Sequence, residues 1–153
     1  MLTVGPHVSP KSASDRSLRR ILYATDLLPG SARALEHALW LAESQHAHLT
    51  LLHVLKLRTD ASQKQLEAER DFAMRKLEQL IPPETPSWVE SEFIVEIGEA
   101  ADHILKLARD QAADLIVMGP HHTSHVWLSA HLPWVTPHQV LGHARCPVLT
   151  VRD

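Results

Sequence analysis

The segment Ile21-Leu22-Tyr23-Ala24-Thr25-Asp26 decides how the rest of this chain is interpreted. A short apolar run with aromatic and β-branched members, ended by a carboxylate, is typical of a strand buried on both faces of a sheet. Pro29-Gly30-Ser31 then turns the chain, and Ser31 is a candidate helix cap. The apolar residues that follow recur at helical spacing and predict a helix over residues 32–45. A buried strand followed at once by an amphipathic helix indicates an α/β fold.

The same alternation of strand and helix continues along the chain. Apolar runs at residues 49–55, 88–95, 115–118 and 147–151 predict the second to fifth strands, with the third at an edge because glutamates interrupt it. Helices are predicted from a cap at Asp60 to about residue 81, from Gly98 onward, and around residues 138–143. Strict alternation predicts one doubly wound, Rossmann-like sheet of five parallel strands with helices on both faces.

The topology also predicts where a ligand would bind. In doubly wound sheets, ligands bind outside the carboxyl ends of the strands, at the point where the strand order reverses. Asp26 ends the first strand and Gly119 ends the fourth, and the apolarity of both strands places them at the centre of the sheet. We therefore expect Asp26 and Gly119 to flank the same crevice.

Composition narrows the class of protein. The chain has 153 residues and a formal net charge of −3, so no basic excess points to nucleic acid. No stretch approaches the roughly 18 apolar residues of a membrane span. Cys146 is the single cysteine, which excludes an internal disulfide and favours a cytoplasmic location. Residues 1–17 are interpreted as a flexible leader and residues 18–153 as one domain.

Six segments in the correct order resemble the universal stress protein family. The strongest is Asp114-Leu115-Ile116-Val117-Met118-Gly119, and the others are residues 21–26, 32–42, 52–54, 98–105 and 143–149. The resemblance implies a strand order of 3-2-1-4-5 and a homodimer, often formed through the last strand. It also implies that the crevice can hold an adenine nucleotide, since many members bind ATP. The cofactor of this chain stays undetermined, with ATP as the candidate.

The resemblance transfers binding roles to particular positions. Asp26 matches an acidic residue that meets the nucleoside, Val54 matches an adenine-contacting valine, and Gly119 matches the start of a phosphate loop. The candidate binding residues, which flank the strand ends or the loop after the fourth strand, are Ala24, Thr25, Asp26, Val54, Met118, Gly119, His121, His122, Val135 and Thr136.

The phosphate loop departs from the family pattern. His122 stands where the pattern has its second glycine, and Pro133-Trp134 stands near the final Gly-Ser. Glycine allows positive φ and a close approach of the backbone to a phosphate, whereas proline has no N–H to donate. This departure predicts that the nucleotide crevice implied by the resemblance is degenerate, in a non-enzymatic protein that the resemblance implies is a homodimer.

Two other functions stay open at this point. His121 and His122 could hold a phosphate as side-chain donors, which would make the protein an ATP or nucleotide sensor. The histidine-rich loop, with His125, His131 and His138, could instead hold a metal in a hydrolytic enzyme, although no carboxylate or cysteine joins it between Gly119 and Cys146. We expect no metal site, because spacing in an irregular loop does not fix a tetrahedron of ligands. We expect no enzyme, because the chain has none of the catalytic motifs of known types.

Overall fold

The computed structural model describes residues 1–8, 17–119 and 135–151. Within these ranges the chain forms six strands and four α-helices. The strands are β1 (Leu2–Thr3), β2 (Arg20–Ala24), β3 (His48–Leu55), β4 (Ser91–Ile97), β5 (Leu115–Met118) and β6 (Val148–Thr150). The helices are α1 (Ala32–Gln45), α2 (Gln63–Glu78), α3 (Ala100–Asp110) and α4 (Val135–His143).

All six strands form one sheet in the order β1-β6-β5-β2-β3-β4. The five parallel strands β2 to β6 are the predicted ones, and their order confirms 3-2-1-4-5. The predicted total of five strands is wrong, because β1 adds a sixth. β1 lies within the predicted leader and pairs antiparallel with β6. A two-residue strand leaves no periodic pattern, and hence it cannot be recognised without its partner.

Two hydrophobic layers cover the two faces of the sheet. On one face, Ile21 and Tyr23 of β2 pack with buried residues of α1 and α2, including Ala38 and Leu77. On the other face, Leu22 and Ala24 pack with buried residues of α3 and α4. Successive residues of a strand point to opposite faces, so the continuous apolar run of β2 supplies both layers. Helices on both faces are thus confirmed.

The helix starts differ in how well they were predicted. α1 has the predicted bounds. The cap of α2 was predicted wrongly at Asp60, since Ser62 accepts a hydrogen bond from the Gln65 N–H while the Gln65 side chain bonds back to the Ser62 N–H. This reciprocal pair satisfies two backbone donors at the helix start, one more than a lone cap can. Asp60 instead lies 3.5 Å from Arg58 on the surface.

The edge strand β4 begins later than predicted. The N–H of Val89 bonds to the carbonyl oxygen of Pro86 at 3.0 Å, which makes residues 86–89 a turn rather than the start of a strand. β4 pairs only with β3, so its predicted place at an edge of the sheet is confirmed. Among the described residues, no helix is long and apolar enough to cross a membrane.

Candidate functional site

The candidate site lies where the strand order reverses, between β2 and β5. Ala24, the last residue of β2, lies opposite Met118 of β5 on one side and opposite Leu52 of β3 on the other. Val54 is two residues beyond Leu52 and therefore faces the same side of the sheet. Ala24, Met118 and Val54 all belong to the hydrophobic layer beneath α3 and α4, with Val54 half-buried. Together they form an apolar floor at the carboxyl end of the sheet.

Asp26 lies beside this apolar floor, two residues after the end of β2. One oxygen of its carboxylate, Oδ1, accepts the backbone N–H of Leu28 at 3.0 Å. Such a bond from a side chain to the residue two positions on stabilises a local turn and restrains the side chain. Asp26 as a residue is partly exposed. The turn thus holds an acidic group in a defined place beside an apolar surface.

The loop from β2 to α1 is built from buried hydroxyl groups. The Thr25 and Ser31 hydroxyl oxygens lie 2.9 Å apart, and Thr25 Oγ1 also accepts the N–H of Leu27 at 3.0 Å. Leu27 has a φ of 62°, a left-handed conformation that is uncommon for a leucine. The bond to Thr25 fixes this conformation. The Thr25 side chain therefore shapes the turn that carries Asp26.

Ser31 does not cap α1 in the predicted way. Its backbone is already helical, with φ −86° and ψ −7°, and its side chain bonds no N–H of the first helical turn. A short 3-10 turn over Pro29–Ser31 precedes the helix instead. The Ser31 hydroxyl donates back to the carbonyl oxygen of Leu28 at 2.7 Å. This contact closes the turn from Leu28 to Ser31.

Gly119 allows the start of α1 to approach the end of β5. A Cβ atom at position 119 would lie 3.0 Å from Ser31 Cα and 3.3 Å from Ser31 Cβ. Real side chains rarely tolerate contacts this close, and one of the two neighbours is backbone. Gly119 therefore lets the loop that carries Asp26 lie against β5.

The remaining candidate residues fall on or before α4. This helix begins at Val135, and Thr136 in its first turn is half-buried. His121 and His122 lie outside the described residues, as do Pro133 and Trp134. Within the described ranges, no group of three or more His, Cys, Asp or Glu side chains could hold a metal ion.

One contact at the site was missed from the sequence. His53 Nδ1 lies 2.8 Å from the carbonyl oxygen of Thr25, which ties β3 to the end of β2. His53 occupies the alternation opposite to Val54, so it supports the Asp26 loop from the other face of the sheet. A polar side chain inside an apolar strand signals such a partner, since buried polar groups are nearly always hydrogen-bonded.

Tyr23 gives this loop a measurable pH signature. Its side chain is buried and donates a hydrogen bond to the Ser31 carbonyl oxygen at 3.0 Å. Desolvation by burial raises the pKa of the phenol above 10.0. Because the folded pKa is raised, the resulting stability is fully present below pH 10 and is lost as the pH rises through the folded pKa.

Replacing Tyr23 with phenylalanine should lower the free energy of unfolding at neutral pH by about 1–2 kcal/mol, because the Ser31 carbonyl loses its donor. The loss of stability above pH 10 should also become shallower. Tyr23 is the chain's only tyrosine, so ultraviolet difference absorbance reports its ionisation alone. Tyrosinate formed in the native protein at or below pH 10 would contradict the prediction.

Comparison with known proteins supports the family resemblance. The model of the universal stress protein family matches residues 17–152. Universal stress protein YxiE of Bacillus subtilis (strain 168) is 29% identical over 150 residues, covering 87% of this chain and 98% of that protein. Universal stress protein G of Shigella flexneri is 31% identical over 132 residues, covering 80% of this chain and 89% of that protein.

Solved structures share the fold. A universal stress protein family member from Burkholderia pseudomallei is 27% identical with a TM-score of 0.69, and the match covers 90% of this chain and 98% of that one. A universal stress protein in complex with cAMP is 19% identical with a TM-score of 0.63, covering 89% and 98%. One from Archaeoglobus fulgidus in complex with dAMP is 18% identical with a TM-score of 0.58, covering 89% and 99%.

Proposed function

Because this chain belongs to the universal stress protein family, we propose that it is a non-enzymatic regulatory domain of the stress response. Its crevice would bind the nucleoside part of an adenine nucleotide, and the phosphates would add little to the binding affinity. The observation that carries the proposal is the apolar floor of Ala24, Met118 and Val54 beside the restrained carboxylate of Asp26. Complexes of two related folds with cAMP and dAMP support the choice of ligand.

Each part of this half-site suits a part of a nucleoside. A flat, uncharged base is stabilised by contact with apolar side chains, and Val54 is only half-buried, so it can contribute surface. A carboxylate accepts hydrogen bonds from hydroxyl groups such as those of ribose. The loop from Gly119 to Thr136 has a single glycine, at its first position. A backbone cradle for several phosphates is therefore not expected.

The same geometry argues for binding rather than catalysis. The hydroxyls of Thr25 and Ser31 are buried and bonded to each other, so neither is poised to attack a ligand. Cys146 is also buried, which suits packing better than reactivity. A reducing cytoplasm is the proposed location, in keeping with a chain that has a single cysteine and so no internal disulfide.

We expect Val54→Asp to weaken adenosine binding at least about tenfold, which corresponds to about 1.4 kcal/mol. The substitution puts a charge on the surface proposed to contact the base. Because adenosine has no phosphate, a loss of affinity could not come from repulsion between the introduced carboxylate and a phosphate group. Titration calorimetry of the full chain measures the affinity. Leu57→Asp is the matched control, because Leu57 follows the same strand and is exposed. Equal affinity in the two variants would contradict the assignment of Val54.

The phosphate part is tested by comparing adenosine, AMP and ATP on the same protein. The proposal expects similar affinities for all three. ATP binding much tighter than adenosine, and weakened by alanine at His121 and His122, would favour the alternative of a nucleotide sensor with a histidine-based phosphate loop. No binding of any of the three would remove the nucleotide role.

Self-association completes the proposal. The outer edge of β6 is the surface through which we propose that two copies pair as a homodimer. Val148 and Thr150 direct their backbone groups away from β5, as the bond from the Thr150 N–H to residue 1 shows. An antiparallel pair of identical edges satisfies these groups under two-fold symmetry. In the structure, however, β1 lies along that edge.

A further inference from the structure

The segment that covers the edge of β6 has a tripeptide in common with β6. The tripeptide starts at the first residue of β1 and at the second residue of β6, and in both places it extends one residue past the strand. Leu2-Thr3-Val4 is identical to Leu149-Thr150-Val151. β1 pairs with β6 in the antiparallel sense, with Leu2 opposite Leu149 and Thr3 opposite Val148. The Thr150 N–H bonds to the carbonyl oxygen of Met1 at 2.9 Å, which continues the register by one residue.

This register has a simple geometric meaning. Suppose that Leu149 of a second copy takes the place of Leu2, and that its Thr150 takes the place of Thr3. The Leu149 residues of the two copies then face each other, and Thr150 of the second copy faces Val148 of the first. That arrangement is an antiparallel pair with its two-fold axis at Leu149, which is the self-complementary contact of a symmetric dimer. β1 occupies the position and register that β6 of a second molecule would take in that arrangement.

The side chains on this edge fit the same exchange. Leu2 and Leu149 line an apolar groove of about 300 Å³, together with Trp40 and Leu41 of α1. Trp40 is 63% exposed and Leu2 is 60% exposed, so the groove is incompletely covered. Leu149 of a second copy, placed where Leu2 lies, would enter the groove with the same side chain and bring the rest of its own edge to cover Trp40.

β1 is a short attachment to the edge of the sheet. It has two residues, far fewer than a strand needs for independent stability. Its path depends on Gly5, where a Cβ atom would lie 2.4 Å from the carbonyl oxygen of Leu141 in α4. A Cβ atom at position 5 therefore requires the segment or α4 to shift, and we expect this shift to weaken the attachment of β1 to β6.

We propose that β1 is an internal competitor for the dimer edge: residues 1–5 form a strap that takes the place of a second copy's β6, and their release permits pairing. The inference rests on the proposed homodimer. If the strap is open in one copy in ten, the affinity of each copy for its partner falls about tenfold, and the pair loses about a hundredfold because both must open.

The test compares the full chain with Gly5→Ala over a range of concentrations by sedimentation equilibrium. Hydrogen exchange at the Thr150 amide, measured at concentrations where each protein is monomeric, reports release of the strap, because pairing with a second copy would protect the same amide again. Gly142→Ala is the matched control, since a Cβ at Gly142 meets no described atom within 4 Å. Thr3→Pro, which removes a backbone donor of the strap itself, is a second route to release. Thr150→Pro in the Gly5→Ala background removes the N–H that faces outward and blocks the freed edge.

Three results together would support the proposal. The Thr150 amide exchanges faster in Gly5→Ala and Thr3→Pro, and both variants have a dimer dissociation constant at least about tenfold below that of the parent chain and of Gly142→Ala. The double variant with Gly5→Ala and Thr150→Pro stays monomeric. If Thr150 exchanges faster but dimers form no more tightly than in a dimerising parent chain, the competition is wrong and the homodimer stands. If neither the parent chain nor the released variants associate, pairing through β6 is wrong as well.

Discussion

Replacing Gly119 with valine is expected to lower the free energy of unfolding by about 3 kcal/mol, near the upper end of the usual cost of overpacking. The new Cβ would lie 3.0 Å from Ser31 Cα, and its two methyl groups would add further contacts. Relief requires that α1 and the loop before it move away from β5. For a chain of this length, the loss corresponds to a fall in Tm of roughly 6–12 °C.

Gly119→Val should also weaken adenosine binding in the fraction that stays folded, because the displaced loop carries Asp26. Thermal unfolding followed by circular dichroism, and calorimetry below the transition, measure the two effects. Gly30→Ala is the control from the same loop, where a Cβ would meet no described atom within 4 Å. A Tm for Gly119→Val equal to that of Gly30→Ala would show that the close approach to Ser31 is not required.

Truncating Leu77 to alanine should cost about 2–5 kcal/mol, as expected for a fully buried leucine. Leu77 is 0% exposed and joins α2 to the layer formed by α1 and the sheet. The cavity would lie far from the crevice floor, on the opposite face of the sheet. Adenosine affinity of the folded variant should therefore match that of the parent chain.

Urea unfolding monitored by tryptophan fluorescence measures this loss of stability. Leu66→Ala on the same helix is the comparison, because Leu66 is only half-buried and lies outside that hydrophobic layer. Its expected cost is about 1 kcal/mol, in proportion to the smaller apolar area removed from water. Similar costs at both positions would mean that α2 is held by its surface rather than by its buried stripe.

The sheet could be predicted from the sequence because its evidence is local. The run from Ile21 to Ala24 contains no charge and supplies both faces of the core, so its strand character follows without any knowledge of its partners. The helix over Ala32–Gln45 is equally local, since its apolar residues repeat every third or fourth position. The strand order and the candidate binding residues came from the resemblance to the family, and the sheet confirms the order.

Local patterns also marked the ends of the strands that meet at the crevice, and therefore placed Asp26 and Gly119 beside it. They could not show why Gly119 is a glycine, because its neighbour Ser31 is 88 positions away (119 − 31). Nor could they show that Thr25, Ser31 and His53 hold the Asp26 loop. Each of those contacts joins residues whose closeness follows only from the packing of α1 and β3 against β2.

β1 is the clearest case of what only the tertiary structure decided. The sequence holds Leu-Thr-Val twice, at residues 2–4 and 149–151, but three residues are too few to signal a strand or a pairing. Strand pairing is a contact between segments, and its register depends on both of them. The sequence by itself determined the five parallel strands, because the apolar residues of each segment indicate that it is buried. Only the tertiary structure shows that the β6 edge is covered by β1, because the two strands are nearly 150 positions apart in the sequence.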